Sequence, residues 1–458
     1  MDKKSLMEGL AREAYERGVF NGVWLYAENG EVVSQGAYGW RDAEDTLPMR
    51  PDSVFQLASV TKQFTAAAVM LLRRRGLLDP DDRVTKFFPE LPYGDVTVRH
   101  LLTHTSGVPE IEESEWIETL WRTEKRIPAN GVVLRFLTES GEGPLFAPGE
   151  RFEYSNTGYS LLAEVVEKAS GVPFETFLER NVFGPAGMRS TGVYHVLRDG
   201  FPSDAFVRCM VLEDGRHVPA EKAEASRAEM YSGDGLNGLD NGYSTVSDML
   251  RWDRALREER VLTAEEQELM YAPGRLNDGS AAGPEEGERD GYGFGWGAFR
   301  DPGLGLLVNH SGGLPGLGTW YERGVDADRA FIFANTREYE DARAYWSFVK
   351  GMVAVSRDRE PGPVAGLEDL VVRDPDRSKW ESFCGRYRRP EGAGFSVGEV
   401  FPKDGELYAK AVDEDGRALT FRLYPVGEDT FCRMGGFEEI VFGDGCLTID
   451  GGTVCERM

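Results

Sequence analysis

Cysteine, histidine and lysine are scarce in this sequence of 458 residues. There are 5 cysteines and 5 histidines, and only 11 of the 52 basic residues are lysines. The cysteines are odd in number, scattered and without a Cys-x-x-Cys pair. We therefore expect free thiols and a reducing compartment rather than a disulfide scaffold. Because lysine is rare, a lysine inside a motif is less easily explained by chance.

A basic surface and a long apolar segment are also lacking. The formal net charge is −26 at pH 7, which argues against nucleic acid or an anionic membrane as the main partner, because phosphate binding needs a basic surface. The longest apolar run, Phe64 to Leu72, is interrupted only by Thr65 and is too short to span a bilayer. The charged N-terminal residues do not resemble a signal peptide, so we expect a cytoplasmic protein.

The order of patterns along residues 1–355 predicts an α/β (α+β) domain. A strand hairpin around Asn29-Gly30 comes first, followed by many helices, several strands and a closing helix. Strands at both ends of a helix-rich segment predict a central antiparallel sheet flanked by helices. The glycine–aromatic run at 291–297 predicts a strand with one bare face against which another segment packs closely.

The remainder of the chain predicts a second, smaller domain. Residues 356–375 form a proline-rich charged linker. Residues 376–458 alternate short strands with turns such as Asp404-Gly405 and Asp415-Gly416, which is typical of a small antiparallel β-barrel.

The first motif with chemical potential is Ser59-x-x-Lys62, at the start of a helix predicted to extend to Arg75. At positions i and i+3 the two side chains lie on one helix face, so the ammonium can reach the hydroxyl. A neighbouring lysine can activate a serine nucleophile, and a helix N-terminus favours a developing oxyanion. The same spacing recurs at Ser347 and Lys350, within a predicted helix and without downstream partners, and we interpret that copy as accidental.

The second motif, Tyr154-Ser155-Asn156, precedes another predicted helix. A tyrosine serves as acid or base where nearby cations lower its pKa, and an asparagine offers a donor and an acceptor to a substrate amide. The structural alternative is that Ser155 or Asn156 only caps the helix.

The third motif, His310-Ser311-Gly312-Gly313, ends a predicted strand. Its glycines would let a substrate approach the strand edge and would expose backbone N–H groups. Taken alone, the motif is better explained as a turn at the end of a strand.

In this order and context the three motifs resemble the serine β-lactamase and penicillin-binding-protein-like hydrolase family, and within it the class C β-lactamase, D-aminopeptidase and esterase branch. The resemblance covers roughly residues 10–355. The segments that carry it are VFQLASVTKQFTAAAVMLL, VTVRHLLTHTSGVP, FAPGERFEYSNTGYSLLAEVVEKASG, YSTVSDMLRWDRAL and NHSGGLPG.

The resemblance implies a role for each matching residue. Ser59 is the acylated nucleophile, and Lys62 and Tyr154 share the proton transfers of acylation and deacylation. Asn156 orients Lys62 and the substrate amide. The backbone N–H groups of Ser59 and Gly313 form the oxyanion hole, and no metal or cofactor is expected.

The third motif departs from class C β-lactamases, which have Lys-Thr-Gly where this chain has His310-Ser311-Gly312. These three residues are expected to bind and orient the substrate, but without a fixed cation a penicillin carboxylate is a less suitable ligand. The same His-x-Gly form occurs in D-aminopeptidase-like members. The C-terminal β module resembles the lipocalin-like barrels attached to those members.

The sequence thus predicts a serine hydrolase that acts through an acyl-Ser59 intermediate on amide bonds of short peptides or D-amino-acid derivatives. One alternative is a carboxylesterase or weak β-lactamase. Another is a slowly deacylating penicillin-binding or ligand-sensing protein. The expected partner is a small-molecule or short-peptide substrate, with neither nucleic acid nor membrane, and a homo-oligomer is left open.

Overall fold

The largest sheet described is antiparallel, and its strands come from both ends of residues 22–335. This computed structural model describes the chain except for residues 113, 125–126, 128, 285–289, 340, 391–393, 413–417, 434–437, 444 and 451, and except for the side chains of residues 118, 121 and 122. The strands before residue 340 are β1 (Gly22–Glu28), β2 (Glu31–Tyr38), β3 (Phe55–Gln56), β4 (Gly192–Val193), β5 (Met210–Glu213), β6 (Arg216–Pro219), β7 (Gly242–Ser244), β8 (Gly291–Tyr292), β9 (Gly297–Asp301), β10 (Gly305–Leu314), β11 (Leu317–Gly324) and β12 (Arg329–Asn335). The sheet order β2-β1-β12-β11-β10-β9-β8 confirms the predicted assembly from both ends.

The hairpin predicted at Asn29-Gly30 joins β1 and β2. The two turn residues have φ angles of 50° and 80°, the conformation that a two-residue turn between right-twisted strands requires. On its other side β1 pairs with β12, where Trp24 lies opposite Phe333. The N-terminal hairpin is therefore continuous with the strands that precede residue 340.

Helices lie mainly between β2 and β8 along the chain, in the order that the sequence predicts. They are α1 (Lys3–Glu16), α2 (Lys62–Arg74), α3 (Val98–Leu102), α4 (Glu115–Glu124), α5 (Val132–Glu139), α6 (Asn156–Ser170), α7 (Phe174–Leu178), α8 (Gly184–Ala186), α9 (Val196–Asp199), α10 (Arg227–Gly233), α11 (Val246–Arg257), α12 (Ala264–Tyr271), α13 (Ala342–Ser356), α14 (Leu367–Leu370) and α15 (Trp380–Phe383). Helix α2 is buried from Lys62 to Leu72, which explains its continuous apolar run. None of the helices in the described residues has the length and apolar character needed to cross a membrane.

The strand predicted over 291–297 is interrupted. Only β8 and the first residue of β9 are extended there, and the residues between them form a turn with Gly295 at φ +78°. A Cβ at Gly293 would overlap Met270 O, and one at Gly295 would lie 2.9 Å from Gln63 Cα. The close packing predicted from the glycines is present, but it is achieved by a turn rather than by a flat strand.

The C-terminal strands form a closed barrel in the order β13-β14-β15-β16-β17-β18-β19-β20. They are β13 (Gly385–Arg388), β14 (Ser396–Lys403), β15 (Glu406–Val412), β16 (Ala418–Pro425), β17 (Thr430–Arg433), β18 (Glu439–Gly443), β19 (Cys446–Ile449) and β20 (Thr453–Arg457). The Asp404-Gly405 turn joins β14 to β15 with both φ angles positive, whereas Asp415-Gly416 lies outside the described residues. Apolar side chains such as Leu423, Phe431 and Leu447 are completely buried and fill the interior.

The chain divides into two compact units. One contains Asp2–Glu8 and Asn21–Glu338, and the other contains Met1, Gly9–Phe20 and Tyr339–Met458. This division falls before α13, whereas the domain boundaries at 355 and 375 remain a prediction. All five cysteines have free thiols.

Candidate active site

Ser59 lies on a short 3-10 turn, Ala58–Thr61, that leads directly into α2. Ala58 has a φ of +46°, a left-handed conformation that is unfavourable for alanine and persists only where the surroundings impose it. Hydrogen bonds at Leu57 hold the turn: its N–H donates to Gly242 O at 2.7 Å, and its carbonyl accepts from the Thr319 hydroxyl at 2.8 Å. The α-helix thus begins three residues later than the sequence predicts.

Lys62 is fully buried, and its side-chain nitrogen has three oxygen neighbours. Nζ is 2.9 Å from Ser59 Oγ, 2.7 Å from Asn156 Oδ1 and 3.2 Å from Leu239 O. A lysine ammonium has three N–H donors, and these three acceptors match them. The arrangement places the Lys62 nitrogen in hydrogen-bond contact with a serine hydroxyl, which is the proximity that proton transfer between the two groups needs.

Tyr154 lies beside the same lysine. Its ring centroid is 4.9 Å from Lys62 Nζ, and 38% of the residue is exposed, so it contacts both the buried lysine and solvent. Ser155 caps α6, since its hydroxyl accepts from Gly158 N–H at 2.9 Å. The helix-cap interpretation therefore applies to Ser155, while its neighbours Tyr154 and Asn156 contact Lys62.

His104 packs against the ring of Tyr154 and contacts the backbone at Ser155. The imidazole is completely buried, and its Nδ1 accepts the Ser155 N–H at 2.9 Å. Burial, together with the positive charge of Lys62, lowers the pKa of His104 well below its usual value. The ring therefore stays neutral and acts as a hydrogen-bond acceptor towards Ser155.

The third motif runs along the end of β10. Strand β9 pairs with β10 over Gly305–Asn309, and a Cβ on Gly313 would meet open space. His310 is only 3% exposed, with Nε2 2.8 Å from the Tyr292 hydroxyl and Nδ1 2.5 Å from Ser311 O. Its ring is thus engaged within the fold, whereas Ser311 and Gly313 are exposed.

Three carboxyl groups lie close to Lys62 and Asn156. Glu110 Oε2 accepts the Asn156 N–H at 3.0 Å, and Glu112 Oε2 accepts from Asn156 Nδ2 at 2.6 Å. Burial raises the pKa of Glu110 to about 7, and the charge of Glu112 adds to the effect. Burial and the charge of Glu112 also raise the pKa of Asp240 well above its usual value, despite the opposing charge of Lys62.

The structure brings together Ser59, Lys62, Tyr154 and Asn156, which the sequence analysis selected. The side chain of His310 is buried and contacts Tyr292. Four further residues border the site without belonging to any of the three sequence motifs: Glu110, Glu112, Asp240 and Tyr292. The only sequence signals for them are two glutamates directly after the LLTHTSGVP segment and a tyrosine inside the glycine–aromatic run.

The chain is similar in sequence to several known proteins. The family model described as Beta-lactamase matches residues 7–350. Penicillin-binding protein 4* of Bacillus subtilis (strain 168) is 30% identical over 432 residues, which are 94% of this chain and 91% of that protein. Esterase EstB of Burkholderia gladioli is 31% identical over 326 residues, which are 65% of this chain and 80% of the esterase.

A solved structure extends the comparison. The D-amino acid amidase from Ochrobactrum anthropi SV3, complexed with L-phenylalanine, is 25% identical with a TM-score of 0.60. The match covers 72% of this chain and 91% of the amidase.

Proposed function

The chain belongs to the Beta-lactamase family and is a serine hydrolase, and we propose that it hydrolyses amide bonds of short peptides or D-amino-acid derivatives through an acyl-Ser59 intermediate. The observation that supports the nucleophile is the 2.9 Å contact between Lys62 Nζ and Ser59 Oγ. A serine hydroxyl is a weak nucleophile until a neighbouring group takes its proton. Lys62 Nζ is close enough to Ser59 Oγ to exchange this proton, and its contact with Asn156 Oδ1 holds Nζ in that position.

The reaction proceeds in two halves. In acylation, Ser59 Oγ attacks the substrate carbonyl carbon while its proton passes to the Lys62–Tyr154 pair. The same pair returns a proton to the departing nitrogen, the C–N bond breaks, and the amine leaves. In deacylation, water attacks the acyl carbonyl, its proton passes to the pair and then to Ser59 Oγ, and the carboxylic acid is released.

The developing oxyanion is assigned to the backbone N–H groups of Ser59 and Gly313. Backbone donors held in a rigid position stabilise such a charge without reorganisation. The close approach of Gly312 to the turn that carries Ser59 supports this assignment, because it brings the exposed end of β10 next to the nucleophile.

The third motif favours amide substrates over penicillins. His310 is buried and bonded to Tyr292, so it does not present a cation to a substrate carboxylate in the way that a lysine would. We assign to it an indirect orienting role through Tyr292, with Ser311 and Gly312 along the substrate. The similarity to the D-amino acid amidase supports the amide class.

Two other functions are retained as alternatives. The similarity to Esterase EstB supports a carboxylesterase, and a weak β-lactamase is retained beside it. The similarity to a penicillin-binding protein supports a site that acylates readily and deacylates slowly. The slowly deacylating alternative predicts an acyl-enzyme that persists after substrate is added, whereas a hydrolase releases the acyl group and is free to react again.

Intact-mass spectrometry after treatment with a fluorophosphonate probe tests the nucleophile. We expect a single adduct on the wild type and none on Ser59→Ala. The accidental copy of the motif offers a matched control, since Ser347→Ala should be labelled like the wild type. An adduct that persists in Ser59→Ala, or that vanishes in Ser347→Ala, would overturn the assignment.

A substrate panel then separates the substrate classes. p-Nitrophenyl esters, nitrocefin and D-amino acid p-nitroanilides report on esterase, β-lactamase and amidase activity, respectively. We expect the anilides to have the highest kcat/KM relative to their uncatalysed rates. A preference for esters or nitrocefin would instead favour the corresponding alternative.

A further inference from the structure

A cavity that the hydrolytic mechanism does not use lies between α11, α12 and the strands β9 to β11. Its volume is about 690 Å³, within the range of roughly 300–1,000 Å³ that small-molecule sites occupy. Ser59, Lys62, Tyr154 and Asn156 do not line it. Apolar side chains form much of its wall: Leu256, Ala272, Pro273, Phe299, Leu306 and Val325. The cavity is therefore large enough for a small molecule and is distinct from the cleft at Ser59.

Arg323 lines this cavity, although only 1% of the residue is exposed. Its Nε donates to Asp253 Oδ1 at 2.8 Å. Its Nη1 contacts the Tyr271 hydroxyl and lies 3.5 Å from Gln267 Oε1. Its Nη2 has no hydrogen-bond partner among the residues that the structure describes. Because buried polar groups normally have a partner, the N–H groups of Nη2 indicate an acceptor that enters from the cavity.

The charged cluster around Arg323 has more positive than negative groups. Asp253 is shared by three arginines. Its Oδ1 accepts from Arg323 Nε at 2.8 Å, and its Oδ2 accepts from Arg254 Nε at 3.0 Å and from Arg257 Nε at 3.1 Å. Asp328 pairs with the last two arginines, at 3.1 Å in each case. Three guanidinium groups thus share two carboxylates, and a buried charge that is not fully paired favours an anion beside it.

Four acidic residues also line the cavity, at its exposed rim. Three of them accept a backbone N–H: Glu259 at 3.0 Å, Asp290 at 3.0 Å and Asp326 at 2.8 Å. These three and Glu268 are exposed, so water and salt screen their charges, whereas Arg323 is buried and its charge is screened much less. The acidic rim therefore does not cancel the attraction of an anion to Arg323.

We propose that this cavity is a second binding site, for small carboxylates that carry an apolar group. A carboxylate accepts short charge-assisted hydrogen bonds from a guanidinium, and Arg323 offers the N–H groups of Nη2 for them. The apolar wall covers an aryl or alkyl group of the same ligand and removes it from water. Ser59 takes no part in this binding, so the site goes beyond the proposed hydrolysis.

Isothermal titration calorimetry on the full chain tests the ligand class with three probes that share one aryl group. They are 3-phenylpropionate, 3-phenylpropionamide and 3-phenylpropylamine. We expect the carboxylate to bind with a Kd of about 1 mM or below. The neutral amide should bind about tenfold more weakly or worse, because it lacks the charged hydrogen bond. Binding of the amine as tight as that of the carboxylate would show that the acidic rim selects the ligand, and would overturn the proposal.

Two variants test the location of the site by different means. Arg323→Gln removes the guanidinium and should weaken binding of 3-phenylpropionate about tenfold or more. Ala272→Trp fills the cavity from an exposed position directly after α12 and should abolish measurable binding. Ala129→Trp is the control, since Ala129 is also exposed but does not line the cavity, and it should keep the wild-type Kd. If Arg323→Gln does not fold, Ala272→Trp alone decides.

Blocking Ser59 separates the cavity from the active-site cleft. Protein labelled with the fluorophosphonate should bind 3-phenylpropionate with the Kd of the unlabelled protein, because Ser59 does not line the cavity. Loss of binding after labelling, or a wild-type Kd in Ala272→Trp, would place the carboxylate elsewhere and overturn the proposal. Failure of the wild type to bind 3-phenylpropionate would overturn it as well, and would leave the assignment of the nucleophile intact.

Discussion

The imidazole of His104 lies nearly flat against the phenol ring of Tyr154, with ring centroids 4.1 Å apart and planes 30° from parallel. The backbone holds this pair on both sides, since Glu153 N–H donates to His104 O at 2.8 Å and Ser155 N–H donates to its Nδ1 at 2.9 Å. His104 itself has a φ of +56°. We therefore expect His104 to be a positioning residue for Tyr154.

Two substitutions separate the two contacts of His104. His104→Asn can retain an acceptor for Ser155 N–H but loses the stacked ring, whereas His104→Phe retains a ring and leaves a buried N–H unsatisfied. His104→Phe should lower kcat about tenfold or more with a smaller effect on KM, because a lost buried hydrogen bond costs about 1–3 kcal/mol. His104→Asn should lower kcat by up to about tenfold, because an aromatic contact is worth about 0.5–1.5 kcal/mol. Steady-state kinetics on a p-nitroanilide measure the split.

The control for this prediction is His100→Asn. His100 also accepts a backbone N–H, from Thr97 at the start of α3, but it lies outside the site and should leave kcat unchanged. If both His104 variants keep kcat within about twofold of the wild type, below the cost of a buried hydrogen bond, His104 does not position Tyr154.

Gly312 is the point at which β10 touches the Ser59 turn. A Cβ at this position would lie no more than 3.0 Å from Thr319 Oγ1, Leu57 O and Ala58 Cβ. Gly312→Ala must therefore push the strand away from the turn, at a cost of about 1–3 kcal/mol in stability. We expect kcat/KM to fall about a hundredfold, as for a displacement of about 1 Å between reacting groups.

Gly131→Ala is a matched control for the strand substitution. Gly131 has a helical φ of −55° before α5, and its Cβ would meet no atom within 4 Å. Thermal unfolding and kcat/KM should both stay at wild-type values for this change. Equal effects of the two alanines would show that contact between β10 and the turn does not determine activity.

Glu110 should make the free energy of unfolding fall as the pH rises, whereas an ion-paired carboxyl group would make it rise. Burial raises its pKa to about 7 in the folded chain, from an ordinary value of 4.5. Between these two values the folded state holds a proton that the unfolded state has lost. The free energy of unfolding should therefore fall as the pH rises through this window, by up to about 3 kcal/mol from this group alone.

Glu110→Gln removes this dependence and keeps an acceptor for Asn156 N–H. Urea unfolding between about pH 4 and pH 8 should show the variant gaining stability relative to the wild type as the pH rises. Glu115→Gln, at an exposed position on α4, should follow the wild type at every pH. A constant difference between wild type and Glu110→Gln would mean that Glu110 titrates near its ordinary value.

Local patterns in the sequence predict several elements correctly. The Asn29-Gly30 hairpin follows from two residues that adopt positive φ readily, and the end of α2 follows from Gly76 at φ +68°. The turn inside 291–297 was missed because it depends on packing against Gln63 and Met270, which are distant in the sequence.

The sequence by itself determined which residues meet where the contact is local. Ser59 and Lys62 are one helical turn apart, and Tyr154, Ser155 and Asn156 are consecutive, so spacing alone brings their functional groups close. Only the tertiary structure decided that Glu110 and Glu112 contact Asn156, and that His310 contacts Tyr292. These contacts depend on how separate segments pack against one another. The spacing of residues within one segment does not determine which side chains of another segment it will contact.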